Sequence, residues 1–439
     1  MSASTATTRQ IVATCIGNAL EWYDFTIYGF MAVTISKLFF PAGAEGTALL
    51  STFAVFGAAF LVRPFGGLVL AHYADRFGRS SLLFVVIGLM TLGMALIAFA
   101  PTYATVGIAA PVIMLVARLI QGLSAGGEFG SSMSFLIEHA PPDRRGLYGG
   151  WQQSSQGAAT LLAGVVAGAV AARLTPEQLL SWGWRIPFLI GLVIGPVGFY
   201  MRLKLQETPE FLAHRATLGR SDPIPIRLLV SEQKKRLLAG MGLVLGGAAT
   251  VYVLFIFMPT YAVRVLKLNL QASYTAPLIG GAMLMIFCPL FGLLSDHRGR
   301  KAVIGVSIAL FLAIVYPAFV WLNAEPSTLR LMAVEVVFGL LMAGYAGPFG
   351  ATLAETFPVG VRVTGMSAAY NFGIAIFGGF APLIISWLIG VTGNPLAPAY
   401  YVMAGLLLSL LALLLVPSAA SATRARGPIG PAVAPHAAP

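Results

Sequence analysis

A stripe of polar side chains runs along the first long apolar stretch of this sequence. Its members recur at intervals of three or four residues and are Asn18, Glu21, Asp24 and Tyr28. This spacing places them on one face of a helix, within about 120°. Carboxylates on a membrane helix are costly, on the order of 2.5–3.5 kcal/mol each at its centre, unless they face a cavity or a partner. Glu21 and Asp24 are therefore predicted to take part in proton coupling.

Two arginines lie in the middle of other apolar stretches. Arg63 interrupts the second stretch, and Arg118 lies in the fourth, where Gln121 and Glu128 share its helical face. A guanidinium pairs bidentately with a carboxylate and cannot lose its proton to escape burial. We expect both arginines to bind the carboxylates of a solute, with Glu128 as a third residue in proton coupling. The alternative is permanent pairing for packing alone, and the pairs considered are Arg118 with Glu128 and Arg63 with Asp24.

Uncharged polar residues in two further stretches complete the candidate site. Gln152, Ser155 and Gln156 share one helical face of the fifth stretch, and Asn371 follows Tyr370 in the eleventh. Amide and hydroxyl groups of this kind fix the orientation of a bound small molecule. The predicted solute-binding set is Arg63, Arg118, Gln121, Tyr28, Gln152, Gln156 and Asn371.

The composition requires these residues to lie in a membrane protein. Of the 439 residues, 58% are hydrophobic and only 10% are charged, whereas a soluble domain is about 25% charged. Twelve apolar stretches have the length of a membrane span, and their backbone must be satisfied within each stretch, which favours helices. We predict an all-α membrane protein with helices at 11–38, 48–71, 82–100, 111–132, 149–172, 185–203, 237–263, 274–294, 302–322, 331–350, 365–389 and 398–416.

A long polar segment divides these helices six from six. The predicted organisation is an N-terminal six-helix bundle over 1–203, a cytoplasmic linker over 204–236, a C-terminal six-helix bundle over 237–416 and a disordered cytoplasmic tail over 417–439. With the N-terminus inside, 19 of the 27 Lys and Arg residues fall on the inner side, 6 on the outer side and 2 within spans. Cytoplasmic loops carry such an excess, so both termini are predicted to be cytoplasmic.

An internal repeat relates the two halves. Gly122, Glu138 and Arg145 recur 217 positions later as Gly339, Glu355 and Arg362, and by this offset Glu335 stands at the position of Arg118. The buried cations therefore lie only in the first half. Parallel halves are typical of transporters whose site lies between them near mid-bilayer. The loops at 75–79 and 296–300 also match, and the predicted cytoplasmic gate is Asp75, Arg76, Gly78, Arg79, Glu138, Arg145, Asp296, Arg300, Glu355 and Arg362.

These loops resemble the signature of the major facilitator superfamily, although Ala71 stands where the first loop motif usually has glycine. Four strings are similar to those of its metabolite:proton symporter family, and they lie at 17–25, 60–67, 117–128 and 182–188. The segments at 52–57, 259–264 and 375–379 resemble the citrate/tricarballylate branch. The resemblance implies the major facilitator fold, and it implies that coupling and binding rest on Glu21, Asp24, Arg63, Arg118 and Glu128.

The function expected from these features is proton-coupled import of a di- or tricarboxylate such as citrate by alternating access. One alternative is a symporter of betaine or proline, whose ammonium group would be held by aromatic rings from Trp22, Tyr23, Tyr28 and Trp151. Another is a membrane receptor that transports nothing. Neither catalytic residues nor a metal site is expected, and the proton is the coupling ion with no other cofactor. The expected partners are the solute, H⁺ and the lipid bilayer, without nucleic acid, for a monomer in the bacterial inner membrane.

Overall fold

The computed structural model describes residues 3–40, 45–77, 79–202, 229, 231–358 and 361–416. Within these ranges the regular secondary structure is helical and no strand occurs. Twelve helices cross the bundle and are numbered in chain order: α1 Ala3–Phe30, α2 Glu45–Phe77, α3 Arg79–Ala98, α4 Ala109–His139, α5 Arg145–Arg173, α6 Ile186–Arg202, α7 Lys234–Arg264, α8 Thr275–Arg298, α9 Arg300–Ala324, α10 Thr328–Thr356, α11 Arg362–Thr392 and α12 Ala397–Leu415. Short helices lie at Ala32–Phe39, Tyr103–Val106, Pro176–Ser181, Gly183–Arg185 and Leu270–Ser273.

The described helices have the length and composition of membrane spans. Nine segments are long and apolar enough to cross a bilayer, and Val85–Ala98 and Gly183–Val193 are shorter apolar helices. The 28-residue helix α1 brings the number to twelve. The prediction of an all-α membrane protein is confirmed, and its count of twelve agrees with these helices. The predicted tail 417–439 and most of the predicted linker 204–236 lie outside the described residues.

Several crossing helices are irregular. The helix predicted over 11–38 was wrong in being continuous, because α1 ends at Phe30 and a separate helix occupies Ala32–Phe39. Helix α4 consists of Ala109–Ala125 and Glu128–His139. Helices α7 and α11 contain π-helical segments at Tyr252–Phe257 and Ala375–Gly379. Such π segments occur frequently at functional sites.

Helix α5 of the first half and helix α8 of the second approach each other backbone to backbone. A Cβ atom added at Gly150 would lie 2.6 Å from the carbonyl oxygen of Cys288, and one at Gly157 would lie 2.4 Å from the amide nitrogen of Met285. Small residues at a helix crossing allow this close contact inside a membrane. We call this contact the glycine seam. It holds the two halves together along one side of the bundle.

The close contact at the glycine seam predicts that an added methyl group there destabilises the protein. Gly157→Ala places a methyl group against the backbone of α8, and we expect a loss of about 1–3 kcal/mol in stability because the helices must separate. Gly168→Ala is the matched control on the same helix, where the nearest atom to the new methyl is Tyr274 Cβ at 3.7 Å. Thermal unfolding of the purified protein in detergent measures the difference. Equal melting temperatures for the two variants would contradict the seam.

Candidate functional site

Four of the predicted ionisable residues meet inside the first half. Arg63 Nη2 of α2 donates to Glu21 Oε1 of α1 at 3.1 Å. Arg118 Nη1 donates to Gln121 Oε1 at 2.8 Å, and Gln121 Nε2 donates to both carboxylate oxygens of Asp24, at 2.8 and 2.6 Å. Each of these side chains is buried, at no more than 5% exposure. We call these five residues the charge cluster.

The local sequence explains how the charge cluster forms. Glu21 and Asp24 are separated by three residues on α1, and Arg118 and Gln121 by three residues on α4, so each pair lies on one helical face. Helices α2 and α4 pack closely because a Cβ at Gly122 would lie 2.0 Å from the carbonyl oxygen of Ala59. Because Gly122 has no side chain, the two arginine-bearing helices come close together beside α1.

Aromatic rings surround both guanidinium groups. Arg63 Cζ lies 4.3 Å from the ring centroid of Phe25 and 4.7 Å from that of Phe60. Arg118 Cζ lies 4.7, 4.5 and 5.1 Å from the ring centroids of Phe25, Tyr28 and Phe56 respectively. Cation–π attraction strengthens when the cation is removed from water. The rings therefore stabilise two cations that would otherwise be costly to bury.

Part of the donor capacity of the arginines is unused. Arg118 Nε and Nη2, and Arg63 Nε, have no hydrogen-bond partner among the described residues. An unmade hydrogen bond at a buried donor costs about 1–3 kcal/mol, and more for a charged group. With ionised carboxylates at Glu21 and Asp24, the charges of the charge cluster sum to zero. A proton on Asp24 would give it a charge of +1 and favour an incoming anion.

A central cavity of about 480 Å³ lies between the two halves. Helices α1, α5, α7, α8, α10 and α11 contribute its walls. Its described lining has no charged side chain and consists of Trp22, Gln153, Gln156, Val244, Gly247, Ala248, Val251, Tyr252, Leu284, Met342, Tyr345, Ala346, Phe349, Tyr370 and Ile374.

Two aromatic rings separate the central cavity from the charge cluster. Tyr252, the first residue of the π segment in α7, lines the cavity, and its ring centroid lies 5.4 Å from that of Phe60. Phe60 in turn lies against the guanidinium of Arg63. The hydroxyl of Tyr252 is buried and has no hydrogen-bond partner among the described residues. A solute in the cavity would reach the arginines only if Tyr252 or Phe60 moved.

A second cavity of about 530 Å³ lies within the first half alone. Asp24 and Glu128 both line it, so it connects an acid of the charge cluster with the third predicted coupling residue. The remaining lining comes from α1, α3 and α6 and is Gly17, Leu20, Tyr23, Ile87, Met90, Thr91, Met94, Gly191 and Gly195. Asp24 is thus accessible from a side that the central cavity does not share.

The structure distributes the predicted solute-binding residues over several places. Of the uncharged members, Gln156 lines the central cavity. Gln152 instead donates to Ser132 Oγ at 2.8 Å, Tyr28 donates to the carbonyl oxygen of Thr52 at 3.4 Å, and Asn371 donates to the carbonyl oxygen of Gly126 at 2.6 Å. Asn371 therefore joins α11 to α4 across the halves.

One of the alternative pairings and two of the aromatic residues can also be located. Arg63 pairs with Glu21 rather than with Asp24. Of the aromatics named for an ammonium site, Trp22 lines the central cavity, whereas Trp151 is 48% exposed on the outside of the bundle. The sequence reasoning missed Gln153, Tyr252, Tyr345 and Phe349 as cavity residues. Gln153 was signalled only by its polarity within an apolar stretch, and nothing in the sequence distinguished the three aromatic residues from those that face lipid.

Charged contacts join the halves at one end of the bundle, which we call the motif end because both loop motifs lie there. Asp296 accepts hydrogen bonds from the backbone amides of Gly146 and Leu147, at 2.8 and 3.0 Å, in the first turn of α5. Helix N-termini favour carboxylates in this position. Arg300 donates to Asp296 at 2.8 Å and to both oxygens of Glu355, at 2.7 and 2.8 Å.

A second charged pair crosses the motif end. Arg362 Nη1 of α11 lies 3.7 Å from Glu138 Oε1 of α4. Arg145 begins α5 close to these contacts. The contacts of the other predicted gate residues are not described. Gly78 lies outside the described residues, as do the side chains of Asp75, Arg76 and Arg79.

The opposite end of the central cavity is closed as well. Tyr274, the residue immediately before α8, donates to the carbonyl oxygen of Phe30 in α1 at 3.1 Å. A Cβ at Gly29 would lie 2.3 Å from Ile256 Cγ2, so α1 and α7 touch closely there. Phe53 and Phe257 pack edge to face across the same end, with ring centroids 5.8 Å apart. The described contacts therefore close the cavity at both ends.

Comparisons with known proteins agree with this architecture. The family profile described as "Sugar (and other) transporter" matches residues 10–227 and 217–424. A citrate-proton symporter of Klebsiella pneumoniae is 39% identical over 396 residues, which cover 90% of this chain and 88% of that protein. A proline/betaine transporter of Salmonella typhimurium is 34% identical over 406 residues, covering 90% and 80%.

Solved structures agree on the fold. A D-xylose-proton symporter superposes with a TM-score of 0.74 at 18% identity and covers 94% of this chain and 98% of that chain. The helical bundle, its inter-half cavity and the match of the family profile to both halves lead to one assignment. The chain belongs to the sugar (and other) transporter family and is a multi-pass membrane transporter of the major facilitator fold, not an enzyme.

Proposed function

We propose that this protein is a proton-coupled symporter that imports a small di- or tricarboxylate, such as citrate. The observation that carries the proposal is Arg118, a buried guanidinium with two unused donors, linked through Gln121 to the carboxylate of Asp24. An anion and a proton would thus be bound within one hydrogen-bonded group. The similarity to citrate-proton symporters, at 39% identity, supports this solute class.

Proton binding and solute binding are coupled through the charge cluster. A proton on Asp24 replaces one of the hydrogen bonds that Gln121 now donates and leaves Arg118 with an uncompensated charge. A carboxylate of the solute then supplies the missing anion and accepts hydrogen bonds from Nε and Nη2. Movement of Tyr252, at the start of the π segment in α7, opens the path from the central cavity.

The second cavity gives Asp24 its own route for the proton. It is built by the first half alone and passes Glu128 toward the motif end. In this proposal Glu128 relays the proton between Asp24 and that side of the membrane. The solute meanwhile occupies the central cavity, so the proton and the solute share the charge cluster but not their access paths.

The contacts at the two ends act as gates for alternating access. The motif end, with its excess of Arg and Lys residues, faces the cytoplasm. Breaking the hydrogen bonds from the Gly146 and Leu147 amides to Asp296, together with the Glu138–Arg362 contact, opens the cavity there. Breaking the α1–α7 contacts opens it on the other side. The protein acts as a monomer in the bacterial inner membrane, with both termini in the cytoplasm.

A zwitterionic solute is a second candidate, and one observation favours it. The central cavity is lined by five aromatic side chains and no charged one among the described residues, and aromatic rings bind quaternary ammonium groups. The aromatic lining is formed by Trp22, Tyr252, Tyr345, Phe349 and Tyr370. The proline/betaine transporters, at 32–35% identity, accord with this candidate.

A competition experiment decides between the solute classes. We expect purified protein in proteoliposomes to accumulate radiolabelled citrate when the outside is more acidic than the inside. Excess unlabelled tricarballylate should abolish this uptake, whereas the same excess of betaine should leave it unchanged. Betaine uptake with no citrate uptake would overturn the carboxylate proposal and leave the zwitterion. A protein that accumulates none of these solutes would be better described as a receptor.

A further inference from the structure

A buried acid in the second half plays no part in the proposed charge cluster. Glu335 lies in α10 with 0% exposure. Neither of its carboxyl oxygens has a hydrogen-bond partner among the described residues. A Cβ added at Gly280 of α8 would lie 3.1 Å from Glu335 Oε2 and 2.3 Å from the ring of Phe255 in α7. The carboxyl group is thus enclosed where these three helices meet.

Glu335 lies directly beyond the wall of the central cavity. The residues around Glu335 come from the same three helices as part of the cavity lining, but they lie one or two helical turns farther from the motif end. Phe255 follows the lining residue Tyr252 by three residues, and Gly280 precedes the lining residue Leu284 by four. Glu335 itself precedes the lining residue Met342 by seven. On α8 and α10, residues at these intervals share a helical face. On α7, the ring of Phe255 within the π segment approaches Gly280 of α8 beside the carboxyl group of Glu335.

The neighbouring helices provide no opposite charge for Glu335. Helix α8 has no charged residue between Thr275 and Ser295, and the charged residues of α7 lie at its two ends, with Arg264 last. Helix α5 packs against α8 and α10 and carries charged residues only at its ends, Arg145 and Arg173. The titratable side chains within the spans of α7, α8 and α9 are Tyr252, Tyr261, Cys288 and Tyr316, and Tyr274 stands immediately before α8. All five are neutral near pH 7 in their ordinary state. An unpartnered ionised carboxylate costs several kcal/mol in such a place.

We propose that Glu335 is a second proton-binding site, which holds a proton while both ends of the cavity are closed and exchanges it when the π segment of α7 moves. The proposal rests on the proposed proton coupling and adds a proton to it. Movement of Phe255 with the π segment hydrates the carboxyl group and permits ionisation. Closure encloses it again, which favours the neutral form. Two carriers, one in each half, then contribute to each transport cycle.

Infrared spectroscopy of the purified protein tests the binding of a proton at Glu335. We expect a carbonyl stretch of a protonated carboxylic acid at pH 7 in the wild type, and we expect Glu335→Gln to remove it. Glu177→Gln, at an exposed acid outside the spans, is the matched control and should leave the band in place. Persistence of the full band in Glu335→Gln would overturn the proposal.

The reversal potential of solute uptake tests the exchange of this proton. We expect Glu335→Gln to transport with one proton fewer per solute than the wild type. If the variant transports as many protons per solute as the wild type, the coupling role of Glu335 is overturned. A wild type that transports only one proton per solute would also overturn it. A wild type whose uptake ignores the pH gradient would refute the proposed function itself, and the infrared band would then separately report whether Glu335 holds a proton.

Discussion

Arg118→Lys is expected to lower the initial rate of solute uptake at least about 25-fold. Lysine keeps the positive charge but lacks the planar set of donors, two of which are free for a solute carboxylate in Arg118. Loss of one partner in a buried charged contact costs about 2–5 kcal/mol, and each 1.4 kcal/mol is about tenfold. Radiolabelled citrate uptake into proteoliposomes under a fixed pH gradient measures the rate.

The control for this variant is Arg173→Lys, at the exposed end of α5. It should transport at the wild-type rate. Melting temperatures of both purified variants establish whether any loss reflects unfolding. Wild-type uptake by Arg118→Lys would show that Arg118 serves packing alone, through its contacts with Gln121 and the surrounding rings.

Asp24→Asn is expected to uncouple transport from the proton gradient. The asparagine oxygen can still accept a hydrogen bond from Gln121, but the amide cannot bind and release a proton at physiological pH. Accumulation driven by an acidic exterior should fall to the level seen without a gradient, at least about tenfold in a strongly coupled carrier. Exchange of internal unlabelled solute for external labelled solute needs no net proton movement, and it should persist.

Asp143→Asn provides the comparison for this experiment, because Asp143 is an exposed acid at the motif end. Both its accumulation and its exchange should match those of the wild type. If Asp24→Asn still accumulates solute against a gradient as the wild type does, another acid carries the coupling proton. Glu21 would then be the next residue to test, because it shares the helical face of Asp24 and pairs with Arg63.

The fold was predictable because lipid imposes a simple requirement on the backbone. Long apolar stretches must be helices, and their number and order follow from the positions of charge, glycine and proline. The break after Phe30 and the π segments in α7 and α11 were not predictable. Gly29 precedes the break and Gly378 lies in the π segment of α11, but glycine is common within the other crossing helices too and does not distinguish these points. They depend on packing between helices, which one sequence does not reveal.

The candidate site was predictable in its charged residues but not in its partners. An ion within an apolar stretch is conspicuous, so Glu21, Asp24 and Arg118 could be named from their type and spacing alone. Their pairing depends on the rotation of each helix about its axis. Helix α5 is rotated by about one residue relative to the predicted orientation, so Gln153 lines the cavity and Gln152 points toward Ser132. Cavity aromatics such as Tyr252 have no property that distinguishes them from lipid-facing ones.

The glycine seam between α5 and α8 also limits the molecules that this protein can pass. Because the backbones touch at Gly150 and Gly157, the halves have no spare width along that side and cannot part to form a wide bore. In the conformation described here the space between them is a cavity of about 480 Å³, open solvent included. The seam therefore favours single metabolites of modest molecular weight over oligosaccharides, folded peptides and polymers, whatever their charge.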